Sequence, residues 1–313
     1  MEYAKLGNTD IEVSKLCIGC MSFGKAGTMH DWTLDAQESE KVIKHALDLG
    51  INFFDTANCY SAGTSEEYLG QALKKNVARD KVVIASKVYF NEGRLSKAAI
   101  EREIDGSLKR LGTDYLDLYI IHRFDFDTPI EETMGALADI VRQGKALYVG
   151  ISNYDADQTR KALAVLKEHK VPCLIHQARY SMFDRWTEPD LLPVLKEEGV
   201  GMIAFSPLAQ GLLTDKYLRG IPENSRAAKS TGHLQTSQVT PEAVEKARKL
   251  NEVAARRGQT LAEMALAWLL KDERVTSVLI GASSVAQLMD NLKALDNISF
   301  SGEELQEIEN ILI

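Results

Sequence analysis

Cysteine is scarce in this chain of 313 residues: there are four, at positions 17, 20, 59 and 173. That is too few to staple a protein of this size, so a disulfide scaffold is excluded. Cys17 and Cys20 have C-x-x-C spacing, but they lie in an apolar run that reads as strand, where residues three apart point to opposite faces. No second cysteine pair completes a zinc site, and the expectation is two half-buried, reduced thiols. An excess of positive charge is missing too. The 37 Lys and Arg against 45 Asp and Glu leave a net charge of −8, which excludes a nucleic-acid footprint. No run approaches the roughly 18 apolar residues of a membrane span. Glu2, Lys5, Asp10 and Glu12 interrupt what would be the apolar core of a signal peptide. These absences point to a cytoplasmic protein that binds neither nucleic acid nor membrane. H-E-x-x-H and carboxylate clusters are absent, so no metal is expected. G-x-G-x-x-G is absent as well, which argues against a Rossmann dehydrogenase.

What is present is a regular alternation. Short runs rich in Ile, Val and Leu occur at 15–19, 51–55, 82–86, 116–121, 146–151, 173–177, 201–206 and 277–281. Such runs suit strands buried on both faces. Helix-length amphipathic segments lie between them, for example at 36–50, 96–112 and 130–145. Several end on or near a glycine, the expected C-terminal stop: Gly50, Gly112, Gly144 and Gly199. Eight strand–helix units in a chain of this length predict a (β/α)8 TIM barrel, with an open doubly wound sheet as the alternative. The opening MEYAKLGNTDIEV alternates around a turn and predicts a β-hairpin ahead of the first barrel strand. One long irregular stretch, about 207–240, follows the seventh strand, and a loop of that length is expected to serve function. The expectation is one domain, 1–313.

Chemistry in such a barrel sits at the C-terminal ends of the strands. The second strand ends on Asp55, the third on Lys87 and the fourth on His122, and Tyr60 follows Asp55 in the loop. Taken singly, Asp55 reads as a strand-end or capping carboxylate and Tyr60 as a loop phenol. A structural Asp55–Lys87 ion pair would explain neither Tyr60 nor His122. Together the four make a general acid. A cation beside a phenol favours phenolate, so Tyr60 is expected to be a stronger acid than free tyrosine, with Asp55 holding Lys87 charged and His122 orienting a carbonyl oxygen or sharing its proton. No Ser or Cys has an obvious paired base, although Cys59 adjoins Tyr60. Protonating a carbonyl oxygen requires a hydride source, most simply a nicotinamide cofactor.

The stretches INFFDTANCY, ASK, IIHR, VGISNY, FSPLAQG and VLIGASSVAQLMDN resemble the motifs of the aldo-keto reductase superfamily, from residue 1 to about 295. The chain is most similar to the bacterial and potassium-channel β-subunit-like branch. Its middle, GKALYVGISNY to IAFSPLAQGLL, is similar to the bacterial L-glyceraldehyde 3-phosphate reductases. The resemblance implies a TIM barrel reducing carbonyls with NADPH, a catalytic tetrad of Asp55, Tyr60, Lys87 and His122, and Tyr60 as proton donor. It further implies that Ser152, Asn153 and Gln177 hold the nicotinamide carboxamide and that Phe205 stacks on the ring. Met21 and Asp55 would also border the cofactor. The segment with Ser206, Leu208, Gly211, Lys216 and Arg226 would fold over the pyrophosphate, and Gly281, Ser283, Gln287, Asp290 and Asn291 would bind the adenosine end. Gln287 stands where many members carry Arg for the 2′-phosphate. Gly211 and Gly281 otherwise read as turn glycines, and Asn291 as a helix-surface residue.

The substrate is expected to be a small carbonyl compound. Trp32, Tyr89 and Phe90 would form an apolar wall at the mouth, with Met21 and Trp186 on the rim. Arg123 follows His122 and either approaches an anionic substrate tail or pairs with Asp125 or Asp127. Two rival readings stand beside reduction. One is an aldolase using Lys87 as a Schiff base; the other is a cofactor-binding, redox-sensing subunit with little turnover. A homo-oligomer is compatible with the sequence but not readable from it.

Overall fold

The computed structural model describes residues 1–28, 31–223, 225, 227 and 234–313. Eight parallel strands close into a barrel: β3 (Leu16–Gly19), β4 (Phe53–Asp55), β5 (Val83–Val88), β6 (Leu116–Ile121), β7 (Ala146–Ser152), β8 (Cys173–Arg179), β9 (Gly201–Phe205) and β10 (Ser277–Ile280). Strands adjacent in sequence are adjacent in the barrel, and β10 closes it against β3. The predicted hairpin is β1 (Tyr3–Lys5) with β2 (Glu12–Ser14), paired antiparallel. The expected (β/α)8 architecture is therefore observed.

The helices that cover the barrel are α1 (Ala36–Asp48), α2 (Thr64–Asn76), α3 (Lys97–Leu111), α4 (Ile130–Arg142), α5 (Ala156–Glu168) and α6 (Leu191–Glu198), followed by α8 (Leu261–Leu269) and α9 (Val285–Leu292). Two further helices, α7 (Pro241–Arg256) and α10 (Gly302–Leu312), pack on each other. Local sequence sets their ends. Asp35 and Asp155 begin α1 and α5 with capping boxes, and Gly112 and Gly199 end α3 and α6 in the left-handed region. The predicted strand at 51–55 opens later than read. Ile51 donates to Ala46 O and closes α1, so β4 starts at Phe53.

Period two divides each strand between two cores. Inside the barrel lie Cys17, Phe53, Val83, Ala85, Leu118, Ile120, Ile175 and Ile203, a cluster separate from the barrel–helix core. Gly150 lies in the same interior, where an added Cβ would stand 2.8 Å from the Ile175 side chain and 3.2 Å from that of Ile120. Leu6 and Val13 of the hairpin join this inner cluster, so the hairpin closes the N-terminal end of the barrel.

Candidate active site

The inward series of each strand continues past its apolar members into polar ones. Phe53 is followed by Asp55; Val83 and Ala85 by Lys87; Leu118 and Ile120 by His122. On the other side Ile175 is followed by Gln177 and Ile203 by Phe205. The barrel interior thus changes from hydrocarbon to ionisable groups at its C-terminal end, and the four predicted residues meet there.

Asp55 and Lys87 are buried, at 1% and 0% exposure, and form a salt bridge. The Lys87 Nζ also donates to Thr56 O at 2.7 Å. The second Asp55 oxygen, Oδ2, accepts from Gln177 Nε2 at 2.9 Å. Burial alone would lower the Lys87 ammonium, but Asp55 and then Tyr60 outweigh it and hold the group above its ordinary value. Lys87 is thus a locked cation. Its Nζ lies 4.9 Å from the centre of the Tyr60 ring. Tyr60 meets His122 edge-on, with ring centres 5.8 Å apart.

The expected acidification of Tyr60 is not what the structure shows. Burial pushes the phenol up to about 12, and the opposing pull of Lys87 is smaller. The charge brings back part of what desolvation removes, and the phenol stays protonated across the physiological range. His122 is held well below its ordinary value, first by burial and then by Lys87 and Arg123. It is neutral near pH 7, which favours orienting an oxygen over carrying the proton. Its Nδ1 is buried without a partner. The Cys59 thiol is raised by burial to about 11, so it is not an available nucleophile at neutral pH. Cys17 and Cys20, expected to be half-buried, are fully buried. Cys17 belongs to the inner core and Cys20 to the outer one.

Tyr60 sits at the start of a left-handed turn, with φ of 47° at Ser61, 54° at Ala62 and 92° at Gly63. Side chains bear such angles at a cost of about 1–3 kcal/mol each, so neighbours must hold the turn. Ser65 Oγ donates to Cys20 O at 2.7 Å. Asn58 Nδ2 donates to Glu103 at 2.9 Å and to Asn91 Oδ1 at 3.2 Å. Thr56 and Asn58 were not singled out from the sequence. Their only signal was their place in the stretch DTANCY.

The other predicted positions divide by location. Ser152 and Gln177 are buried and lie opposite each other on β7 and β8. Asn153, at φ 58°, donates through Nδ2 to His122 O and Ser152 Oγ, both at 3.1 Å. Phe205 is half-buried at the end of β9, and Ser206 follows it at φ 53°. Leu208 and Gly211 (φ 105°) bound a short helical turn, and Lys216 is exposed on the next. Arg226 lies outside the described residues. An added Cβ at Gly281 would meet open space. Ser283 donates through N and Oγ to Gln287 Oε1, at 2.9 and 2.8 Å, and Asp290 pairs with Lys293 at 2.8 Å. Asn291 is buried, not a helix-surface residue. Around the mouth, Met21, Trp32 and Tyr89 are half-buried, and Phe90 and Trp186 are exposed. Phe90 meets Tyr89 and His122 edge-on, with centres 4.9 and 5.1 Å apart.

The chain thus places an Asp–Lys pair, a tyrosine and a histidine at the C-terminal end of a parallel (β/α)8 barrel. The chain belongs to the Aldo/keto reductase family, whose model matches residues 15–313, and is an oxidoreductase. It is 44% identical to L-glyceraldehyde 3-phosphate reductase of Escherichia coli (strain K12), over 99% of this chain and 92% of that protein. It is 35% identical to the probable voltage-gated potassium channel subunit beta of Oryza sativa subsp. japonica, over 100% of this chain and 97% of that protein. It is 36% identical to the uncharacterized oxidoreductase YrpG of Bacillus subtilis (strain 168), over 99% of this chain and 96% of that protein. Among the described residues, no helix is long and apolar enough to cross a membrane and no cluster of side chains could hold a metal ion.

Proposed function

We propose that the protein reduces small aldehydes and ketones to alcohols with NADPH, Tyr60 delivering the proton. The observation that carries this reading is the buried Lys87–Asp55 pair, with Gln177 on the second carboxylate oxygen and Tyr60 against the ammonium. The residues present fit a nicotinamide dinucleotide. Ser152, Asn153 and Gln177 offer amide and hydroxyl groups beside His122, as a carboxamide requires. The Gln177 nitrogen is committed to Asp55, so its carbonyl oxygen is the part left to accept. Phe205 offers a half-buried ring at the next strand end, and Ser283 and Gln287 offer exposed polar groups at the end of β10 for a 2′-phosphate. When bound, the cofactor supplies the hydride.

The protein's own part is to hold the carbonyl and protonate its oxygen. His122, neutral, hydrogen-bonds that oxygen and fixes its direction. Tyr60 donates its phenolic proton as negative charge grows there, and Lys87 stabilises the phenolate left behind. Asp55 keeps Lys87 charged and immobile, so the stabilising charge needs no reorganisation during the reaction. A Schiff-base role for Lys87 is disfavoured, since a lysine held protonated by a buried carboxylate is a poor nucleophile.

Tyr60→Phe removes the proton and little volume. NADPH oxidation followed against a panel of small aldehydes is expected to show kcat lower by roughly 10²–10⁴-fold, with NADPH affinity nearly unchanged. Near-normal turnover would end the proposal. Tight NADPH binding by the wild type with negligible turnover on every aldehyde would favour the redox-sensing alternative.

A further inference from the structure

Arg123 leaves the end of β6 directly after His122, and its side chain is exposed at the mouth. The sequence offered Asp125 and Asp127 as partners, but the structure gives both to Arg94. Arg94 Nη1 lies 3.2 Å from Asp127 and 3.6 Å from Asp125. Asp125, buried, also accepts from Thr128 Oγ1 at 2.7 Å and from the backbone N of Asp127 at 3.1 Å. The other arginine of these rim loops, Arg185, is held by Glu188 and Glu309, each at 2.7 Å. Among the described residues of the loops after β5, β6 and β8, Arg123 is the one Lys or Arg with no carboxylate within 4 Å. In a chain with net charge −8, an uncompensated guanidinium beside the site is a distinct electrostatic feature.

The Arg123 guanidinium carbon lies 5.9 Å from the centre of the Phe90 ring, and the same ring meets His122 edge-on at 5.1 Å. Phe90 therefore borders both the cation and the imidazole, and a short substrate lying over that ring reaches both. We infer that Arg123 forms an anion subsite that takes the phosphate or carboxylate of a short-chain aldehyde whose carbonyl lies at Tyr60 and His122. The inference rests on the proposed reductase reading and adds a substrate class to it. A planar guanidinium presents paired N–H donors that match two oxygens of a phosphate or carboxylate. The exposed rim lets the anion keep part of its hydration, so binding does not require full desolvation of either charge.

The test compares glyceraldehyde 3-phosphate with glyceraldehyde, which differ in the phosphate. The ratio of their kcat/KM values is measured for wild type, Arg123→Ala and Arg123→Lys at saturating NADPH. Arg123→Ala is expected to lower the ratio by about 10- to 100-fold, mainly through KM for the phosphorylated substrate, and Arg123→Lys to restore part of it. An unchanged ratio in Arg123→Ala overturns the subsite. Calorimetry separates this from failure of the reductase reading. Glycerol 3-phosphate titrated into the NADPH-saturated protein should bind wild type more tightly than Arg123→Ala even if neither aldehyde is turned over. Equal binding to the two proteins overturns the subsite independently of turnover.

Discussion

Tyr60 shows how two opposed effects of one site are weighed. Its neighbour Lys87 lowers the phenol and its burial raises it, and burial prevails, leaving the group near 12. The proton is therefore present throughout the neutral range, and the ammonium serves mainly to stabilise the phenolate formed as the proton leaves. The sign has a kinetic consequence. A general acid is lost as pH rises through its pKa, so a raised value carries the alkaline limb upward. The kcat/KM for aldehyde reduction at saturating NADPH is expected to show no fall near pH 10, the ordinary tyrosine value. A limb at or below 10 would mean that the cation, not burial, sets the acidity. The sequence misled at this point because it places Lys87 beside Tyr60 but does not show how much water both have lost.

At the scale of the element, the strands were the legible part. Their apolar runs located the barrel, and the ends of those runs located Asp55, Lys87 and His122, because the chemistry of such a barrel gathers where its strands leave the core; Gln177 and Phe205 came from the resemblance. Side-chain partnerships across the barrel were not legible. Nothing in the sequence ties Gln177 to Asp55, 122 positions apart, or gives Asp125 and Asp127 to Arg94. The left-handed φ angles at Ser61, Ala62, Asn153 and Ser206 were hidden too, since none of these is glycine and tertiary contacts enforce them. The segment after β9 carries its own small core of Tyr217, Ala227 and Leu234, which its Gly- and Ser-rich composition did not announce. Helix α9 permits a sharper test. Ser284 caps it by accepting from the Gln287 backbone, and the Gln287 side chain reaches back to Ser283. Gln287→Arg keeps the helix, since both residues are good helix formers, and adds a cation where a 2′-phosphate is expected. The Kd for NADPH, read by fluorescence titration, should fall about 10-fold while that for NADH stays nearly unchanged. Equal tightening of both would remove this helix from the 2′ position.

The whole molecule joins two chemically different ends through one interior. The hairpin end is hydrocarbon: Leu6, fully buried, packs with Val13, Cys17 and the inward strand residues. Leu6→Ala leaves a cavity there and is expected to cost about 2–5 kcal/mol, measured as a lowered urea midpoint. Aldehyde turnover below the transition should change less than about threefold, because the inward layers between Leu6 and Lys87 are close-packed and stay in place. A loss of turnover comparable with that of Tyr60→Phe would show that the two ends are mechanically linked. The plugged end has a further consequence. Side chains fill the barrel interior beneath Lys87, so a molecule that reaches Tyr60 from the C-terminal end has to leave toward that end as well. Two guests that share one way in must queue, and the one seated deeper arrives first and leaves last. Under the proposed reduction, with the cofactor as the deeper guest, the alcohol would leave first and the cofactor would follow once the way out is clear.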